Sequence, residues 1–332
     1  MIDLAALVTA LHANRGLAHK ADIADAVRTL AVADAAADVP VGDDCAAIPD
    51  GRGGYQLLAI EGFINEFVTH DPWFAGWCGV MVNVSDIYAM GGRPTAVVDA
   101  AWSRSRDKMR VLLEGLSAAS KTYGVPVVGG HSNARGDREQ LSVAILGHAN
   151  RLLTSFDARP GDLLIAAIDL RGAYREPYPH WNASTAAPPE RLRADLELLP
   201  QLAEDGLCRA AKDISQAGLI GTTMMLLECS GIGATIDVER APKPADIDLA
   251  HWLLSTFPSF GFVLAVAPAN VDAVLARFHT RGLGCAVIGA CNDGHQLHLR
   301  NERGDEQLAW DFRERSLIGC GPKLTTDGKH HA

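Results

Sequence analysis

Four aspartates stand in settings where carboxylates could bind a divalent cation. Adjacent carboxylates repel each other, and a nearby cation can offset this repulsion. Mg²⁺ prefers carboxylate, phosphate and water oxygens as ligands. A solvated turn also accommodates such a pair, and the residue types alone leave that alternative open. The four residues are Asp43 and Asp44 in the segment Gly42-Asp43-Asp44, Asp86, and Asp213.

Two of these aspartates have further polar or helical signals beside them. Asp86 lies three residues after Asn83, so a helix would place both side chains on one face, beside an apolar stripe. Polar groups there need partners or a cation, and a hydrogen-bonded pair between helices is the alternative. Asp213 precedes a glycine at the start of a predicted helix. That position suits phosphate or metal phosphate, and it suits an N-cap at Asp213 or Ser215 equally well.

The segment Gly129-Gly130-His131-Ser132-Asn133 follows a predicted strand, 125–130, that enters a glycine turn. Two glycines let a backbone approach a ligand closely, and Ser132 and Asn133 offer hydrogen bonds. A histidine can serve in proton transfer, although His131 at this place also fits a structural role. The segment is therefore a candidate ligand contact.

One long helix is predicted to carry Asn83 and Asp86. From Trp73 to Met90 the apolar residues recur every three or four positions, which indicates a helix with a buried stripe. Gly91, Gly92 and Pro94 end this pattern, because a glycine followed by a proline is typical of a helix C-terminus.

The remaining patterns predict a mixture of helices and strands in two domains. The length of 332 residues favours about two domains, and the turn Arg159-Pro160-Gly161-Asp162 lies near their boundary. We expect domains at 1–155 and 156–332, with an irregular loop at 174–189. Helices are expected at 2–13, 21–32, 107–123, 190–204, 216–230 and 271–280, and strands at 55–60, 95–102, 141–149, 163–168, 234–238, 261–266 and 285–290.

The composition excludes several classes of protein. Lys and Arg number 30 and Asp and Glu 40, which gives a net charge of −10, so broad binding to nucleic acid or to an anionic membrane is not expected. No apolar run reaches the roughly 18 residues of a membrane span, and the N-terminus lacks the features of a secretory signal. Seven cysteines without a C-x-x-C pair favour a reducing, cytoplasmic environment.

Common nucleotide and hydrolase motifs are missing from the sequence. No G-x-x-x-x-G-K-[ST] loop occurs, and Gly282-Leu283-Gly284 is followed by Val287 where a G-x-G-x-x-G motif needs its third glycine. H-E-x-x-H and G-x-S-x-G are also missing. Any nucleotide site must therefore use a different arrangement.

Taken together, these segments resemble a known superfamily from about Gly42 to about Val266. It comprises aminoimidazole ribonucleotide (AIR) synthase, thiamine-monophosphate kinase, selenophosphate synthetase and a carbamoyl-dehydrating hydrogenase maturation protein. The chain is most similar to the AIR synthase-related proteins of that superfamily. The segments that carry the resemblance are Gly42-Asp43-Asp44-Cys45-Ala46, the run from Asn83 to Pro94 (NVSDIYAMGGRP), Asp71-Pro72, Gly129-Gly130-His131-Ser132, and the run from Asp213 to Gly221 (DISQAGLIG).

The resemblance implies an α+β fold of two domains. The N-terminal mixed sheet would bind ATP and Mg²⁺ and form a barrel across a homodimer, and the C-terminal domain would be an AIR-synthase-like α/β sandwich. It also implies phosphoryl transfer from ATP to a small-molecule acceptor, or activation of that acceptor. The implied metal ligands are Asp43, Asp44, Glu61, Asp86 and Asp213, and the implied nucleotide contacts are Asn83, Gly129, Gly130, Ser132 and Asn133.

Departures from the superfamily pattern leave alternatives open. Selenophosphate synthetases carry a reactive residue and a lysine near the N-terminus, whereas this chain has Lys20 and no cysteine before Cys45. Lys20 could reach a phosphate or could cap the helix at 21–32. His131 stands where the kinases and AIR synthases carry Asp or Glu, which argues against both of those assignments. The candidate catalytic residues are Lys20 and His131. The chain could also be a nucleotide-binding subunit without catalysis, or an AIR synthase, thiamine-monophosphate kinase or selenophosphate synthetase proper.

Overall fold

The computed structural model describes residues 2–30 and 39–322. Contacts between residues divide the chain into two compact units, each built from separate stretches of sequence. The five-stranded unit comprises Asp44–Leu152 and Ala183–Asp205, and the seven-stranded unit comprises Met1–Asp43, Leu153–Asn182 and Gly206–Ala332. Within the described ranges, no helix combines the length and the apolar character that a membrane crossing requires.

The five-stranded unit is built on one mixed sheet with the strand order β1-β2-β5-β3-β4. Only the β3–β4 pair is parallel; the other neighbouring strands are antiparallel. Strand β4 is the last in this order, so it lies at an edge of the sheet. The strands are β1 (Ala46–Pro49), β2 (Tyr55–Gly62), β3 (Arg93–Trp102), β4 (Val127–Asn133) and β5 (Gln140–Ala149).

Three helices of this unit precede or follow β3: α3 (Asn65–His70), α4 (Pro72–Ala89) and α5 (Arg106–Tyr123). Helix α4 is buried almost all round and packs against α5 and the inner face of the sheet. The two helices approach closely because glycines remove side chains at their contact. A β-carbon at Gly76 would overlap Leu112 of α5, and one at Gly115 would overlap Trp73 of α4.

Two short helices, α6 (Pro189–Leu196) and α7 (Leu198–Glu204), also belong to the five-stranded unit although they lie late in the sequence. Arg93 at the start of β3 holds them. Its guanidinium donates hydrogen bonds to the carboxylates of Glu197 and Glu204 over 2.5–3.1 Å. This paired geometry fastens α7 to the sheet.

The seven-stranded unit is built on a sheet with the order β15-β14-β10-β13-β6-β12-β9 and a small second sheet, β11-β8-β7. Its neighbouring strands β6 and β12 are buried on both faces, apart from the first residue of β6. The strands are β6 (Leu163–Ile168), β7 (Ala173–Tyr174), β8 (His180–Asn182), β9 (Ala210–Asp213), β10 (Gly233–Asp237), β11 (Phe257–Pro258), β12 (Gly261–Val266), β13 (Gly284–Asn292), β14 (Gln296–Arg300) and β15 (Glu306–Asp311).

Helix α8 is the central helix of this unit. Its residues from Gly218 to Cys229 are all buried, as expected for a helix that is apolar all round. It packs against α9, β9 and β12. The helices of the unit are α1 (Leu4–His12), α2 (Arg15–Leu30), α8 (Gly218–Ser230), α9 (Leu249–Ser255) and α10 (Val271–Thr280).

The observed elements confirm the predicted α+β architecture and most of the predicted elements. Three differences concern the site. The helix predicted at 21–32 already begins at Arg15, and its last two residues lie outside the described ranges. The helix predicted at 190–204 is divided into two at Glu197. The glycine turn predicted at the end of the strand 125–130 is wrong, because β4 continues through Gly129 and Gly130 to Asn133.

Candidate functional site

Helix α4 places Asn83 and Asp86 in a buried position. The helix begins after Asp71, whose carboxylate accepts a hydrogen bond from the Phe74 amide, and Pro72 occupies its first turn. Asn83 Nδ2 donates to the Gly79 carbonyl over 2.8 Å. Asn83 Oδ1 is buried and has no hydrogen-bond partner among the described residues. A buried carbonyl oxygen in this state is costly and suits a cation.

Asp44 and Asp86 form the acidic pair of the five-stranded unit. Their carboxylate oxygens approach within 4.8 Å, Asp86 is buried, and Asp44 is half-buried. Two carboxylates this close repel each other strongly when one is buried. The donor set, two carboxylates and a nearby amide oxygen, consists of the oxygen ligands that Mg²⁺ binds. The residues present therefore fit a divalent cation.

Glu61 lies on β2, where alternation of side chains determines its direction. Leu57 and Ala59 are buried on the inner face of the sheet, and Glu61, two residues further on, points to the same face. Helix α4 packs against β2. The structure thus places the Glu61 carboxylate on the face of the sheet that α4 covers.

Asp43 already has hydrogen-bond partners within the seven-stranded unit. One carboxylate oxygen accepts the Ser155 amide and the other the Ser155 hydroxyl, each over 2.6 Å. Lys212 Nζ lies 3.8 Å from Asp43 Oδ1, and both side chains are buried. A solvated turn is therefore wrong for Asp43. Sequence reasoning missed Ser155 and Lys212, although a lysine inside the buried strand Ala210–Asp213 was a visible signal.

Asp213 is the last residue of β9 and is buried. The turn after it contains Ala217 with φ +75° and Gly218 with φ +64°, and a left-handed alanine is uncommon outside sites that need a special backbone path. Helix α8 starts at Gly218, directly after Ala217, and no side-chain hydrogen bond caps its N-terminus in the described structure. The alternative that Asp213 or Ser215 caps this helix is therefore wrong.

The N-terminal segment lies beside this same turn. A β-carbon at Gly16 would come within 2.7 Å of the Ala217 amide nitrogen, and His19 Nδ1 lies 3.4 Å from Gln216 Oε1. Lys20 follows on α2, half-buried within the helix. The alternative that Lys20 caps a helix starting at residue 21 is wrong, because α2 starts six residues earlier, at Arg15.

The glycine-containing segment forms the exposed edge strand β4. A β-carbon at Gly130 would overlap the Asp99 carboxylate, so this glycine accommodates a neighbouring strand of the same sheet. His131 packs against Trp102 with ring centroids 5.6 Å apart, and Asn133 Oδ1 accepts the Arg135 amide over 2.9 Å. The side chains from Val127 to Asn133 are all exposed, so they are accessible to a ligand or a partner.

The family models that match this chain are those of the AIR synthase related protein. The N-terminal domain of that family matches residues 42–149, and the C-terminal domain matches residues 163–300. The Asp44–Asp86 pair lies in the first match and Asp213 in the second.

Three relatives illustrate the range of similar proteins. An uncharacterised protein of Synechocystis is 48% identical over 94% of this chain and 97% of its own length. The phosphoribosylformylglycinamidine synthase subunit PurL of Natronomonas pharaonis is 30% identical over 87% of this chain and 43% of its own length. A thiamine-monophosphate kinase of Pyrococcus abyssi is 28% identical over 76% of this chain and 82% of its own length.

Among solved structures, Thermotoga maritima PurL complexed with ADP has a similar fold. It matches with a TM-score of 0.69 and 18% identity, over 88% of this chain and 49% of the PurL chain. This chain therefore spans about half the length of the PurL proteins, and the likeness extends over both of its units.

Proposed function

The chain belongs to the AIR synthase related protein family, and from this premise we propose that it uses ATP and Mg²⁺ to phosphorylate or otherwise activate a small-molecule acceptor. Its relatives support an ATP-using enzyme at a coarse level: one is named as a kinase, and PurL has been solved in complexes with ADP and with ATP. The acceptor and the dependence on Mg²⁺ belong to the proposal.

The single observation that carries this proposal is the approach of Asp44 and Asp86 beside the buried Asn83. Phosphoryl transfer depends on positioning and charge neutralisation rather than on a covalent catalyst. When bound, Mg²⁺ would neutralise and orient phosphate oxygens. Asp86 is suited to hold it because a buried helix fixes its backbone, and Asn83 adds a neutral oxygen.

The other residues have proposed roles that rest on the resemblance and on their local setting. Asp213 and Glu61 are proposed as further metal or metal-phosphate ligands, and Asp43 contributes to the acidic loop. Lys20 and His131 act on the reacting phosphates. For Lys20 this is supported by the contact of α2 with the turn after Asp213. The exposed residues Gly129, Gly130, Ser132 and Asn133 contact the nucleotide.

The proposal includes a homodimer in which two five-stranded sheets meet. The outer face of this sheet is apolar and exposed. On this face, Leu58 of β2 lies directly opposite Leu146 of β5. Ile60 of β2 and Val98 of β3 lie on either side of Ala144 of β5. Ile60 is 69% exposed and Val128 65%. Monomers rarely expose an apolar patch of this extent, and a second copy would cover it and the β4 edge.

Turnover of ATP by an Asp86→Asn variant tests the function. We expect the wild-type protein to form ADP with Mg²⁺ and a suitable small acceptor. Asp86→Asn should lose at least about a hundredfold in turnover, because charge stabilisation by a fixed group has that magnitude. Its unfolding midpoint in EDTA should not fall, since the substitution removes one of two repelling carboxylates.

Asp107 is an exposed carboxylate in the first turn of α5. The variant Asp107→Asn is therefore the control, and it should keep full activity. Full activity of Asp86→Asn would contradict the proposal. Tight binding of ATP that stays intact with every acceptor would favour a nucleotide-binding subunit instead. Assays with the substrates of AIR synthase, thiamine-monophosphate kinase and selenophosphate synthetase decide whether the chain is one of these enzymes proper.

A further inference from the structure

Three segments of the seven-stranded unit converge on Gly42 and Asp43. They are the loop at Ser155, the end of β9 at Lys212, and the segment Leu317–Gly321 near the end of the described chain. Ser155, Lys212 and Cys320, which contact Gly42 or Asp43, each lie more than a hundred positions from them in sequence.

The last turn of α8 connects two of these segments with Gly42 and Asp43. The buried Glu228 carboxylate accepts the amides of Leu317, Ile318 and Gly319 over 2.7–3.2 Å. The next residue but one, Ser230, donates to the Ser155 carbonyl over 2.7 Å. Between them, Cys229 Sγ lies 3.9 Å from the Gly42 carbonyl. Consecutive residues of one helix turn thus contact three separate pieces of backbone, two of them through short hydrogen bonds.

The segment Leu317–Gly321, whose amides bond to Glu228, packs directly against Gly42. Gly42 has φ +125°, and a β-carbon there would overlap Cys320. Only glycine fits this backbone and this contact. Asp43 is then fixed by the two hydrogen bonds from Ser155 and by Lys212. The backbone that leads to Asp44 is therefore held at both Gly42 and Asp43.

We propose that Ser155, Lys212 and Glu228 are positioning residues that fix the Gly42-Asp43-Asp44 loop for cation binding, with Asp43 as the anchoring carboxylate and Asp44 as the ligand. This inference rests on the proposed cation site at Asp44 and Asp86. Both oxygens of Asp43 are already hydrogen-bonded within the protein, whereas Asp44 faces Asp86. Removing a group that orients a metal ligand typically weakens metal affinity about 10–100-fold.

Direct binding of Mn²⁺, which shares the oxygen ligands of Mg²⁺, tests the anchor by electron paramagnetic resonance. We expect Ser155→Ala and Lys212→Met to weaken Mn²⁺ binding about tenfold, with partial recovery in Lys212→Arg. In ATP turnover, both variants should need more Mg²⁺ and approach the wild-type kcat at saturation. Thr223→Val, which removes a buried hydroxyl from α8 outside the anchor, should bind Mn²⁺ like the wild-type protein.

A double-mutant cycle separates an anchor from a ligand. If Asp43 acts through Ser155, Asp43→Asn and Ser155→Ala together should cost little more than Asp43→Asn alone, and Asp44→Asn should abolish binding. Ser155→Ala keeps the amide hydrogen bond to Asp43, so it remains informative if Lys212→Met fails to fold. Wild-type Mn²⁺ affinity in both Ser155→Ala and Lys212→Met would overturn the proposed anchoring role without contradicting the proposed function. No Mn²⁺ binding by the wild-type protein would overturn the proposed function and this inference with it.

Discussion

At the scale of single residues, the buried side-chain oxygen of Asn83 is the observation most relevant to a bound cation. Its amide nitrogen is bonded to Gly79, whose carbonyl also takes part in the helix, but Oδ1 is buried without a donor among the described residues. We expect Asn83→Leu to raise the free energy of unfolding in EDTA by about 1 kcal/mol, because it removes an unsatisfied polar atom and improves helix propensity. The same variant should gain less stability from Mg²⁺, which thermal unfolding with and without the ion measures.

Ser85→Ala controls for the loss of a polar group from α4, since the Ser85 hydroxyl donates to the carbonyl of Met81 in its own helix. This control should respond to Mg²⁺ like the wild-type protein. A destabilised Asn83→Leu with an unchanged response to Mg²⁺ would mean that Asn83 is purely structural.

At the scale of elements, the attachment of α7 to β3 depends on charge. Hydrogen bonds from Arg93 and then Asn150 lower the pKa of Glu204 from 4.5 to about 2. A pKa lowered by folding contributes stability above the unfolded value of 4.5, and this is lost as pH falls towards about 2. Glu204→Gln should therefore destabilise the protein by about 1 kcal/mol at pH 7, a value reduced for partial exposure. The difference should vanish near pH 2 in denaturant titrations.

Glu190→Gln on the neighbouring helix α6 removes a carboxylate that lies in the first turn of a helix. It should cost only a few tenths of a kcal/mol. A difference between Glu204→Gln and wild type that stays constant from pH 7 to pH 2.5 would contradict the assigned role of the Arg93 contact.

At the scale of the whole molecule, the proposed dimer depends on the apolar outer face of the five-stranded sheet. If a second copy covers this face, the mass in solution should be about twice 35.3 kDa. Ile60→Lys would place a charge in the centre of the apolar contact, where desolvation is costly, and should yield a monomer. Sedimentation velocity or light scattering measures the mass.

Leu308→Lys is the control for an exposed apolar residue on a strand of the other unit, where Leu308 is 40% exposed. It should leave the mass of the assembly unchanged. A monomeric wild-type protein, or a dimer that tolerates Ile60→Lys, would contradict a dimer through this face.

Local patterns predicted the elements well where one physical signal dominated. The three-and-four spacing of apolar residues gave α4 within a residue of its observed bounds, and Gly124 ends α5 with φ +72° as expected for a helix C-terminus. The prediction failed at β4, because a double glycine looks like a turn in sequence. In the structure Gly130 is needed instead to make room for Asp99 on the adjacent strand.

The sequence by itself predicted which residues are candidates to bind a cation, and it determined which helix carries Asn83 and Asp86 and the α+β class. These follow from side-chain chemistry and from periodicity, which act over a few neighbouring residues. The tertiary structure alone decided that Asp44 approaches Asp86, that Asp43 is bonded to Ser155, and that Arg93 holds α7. Each of these contacts joins residues 42 to 112 positions apart, and only packing of the whole chain brings such residues together.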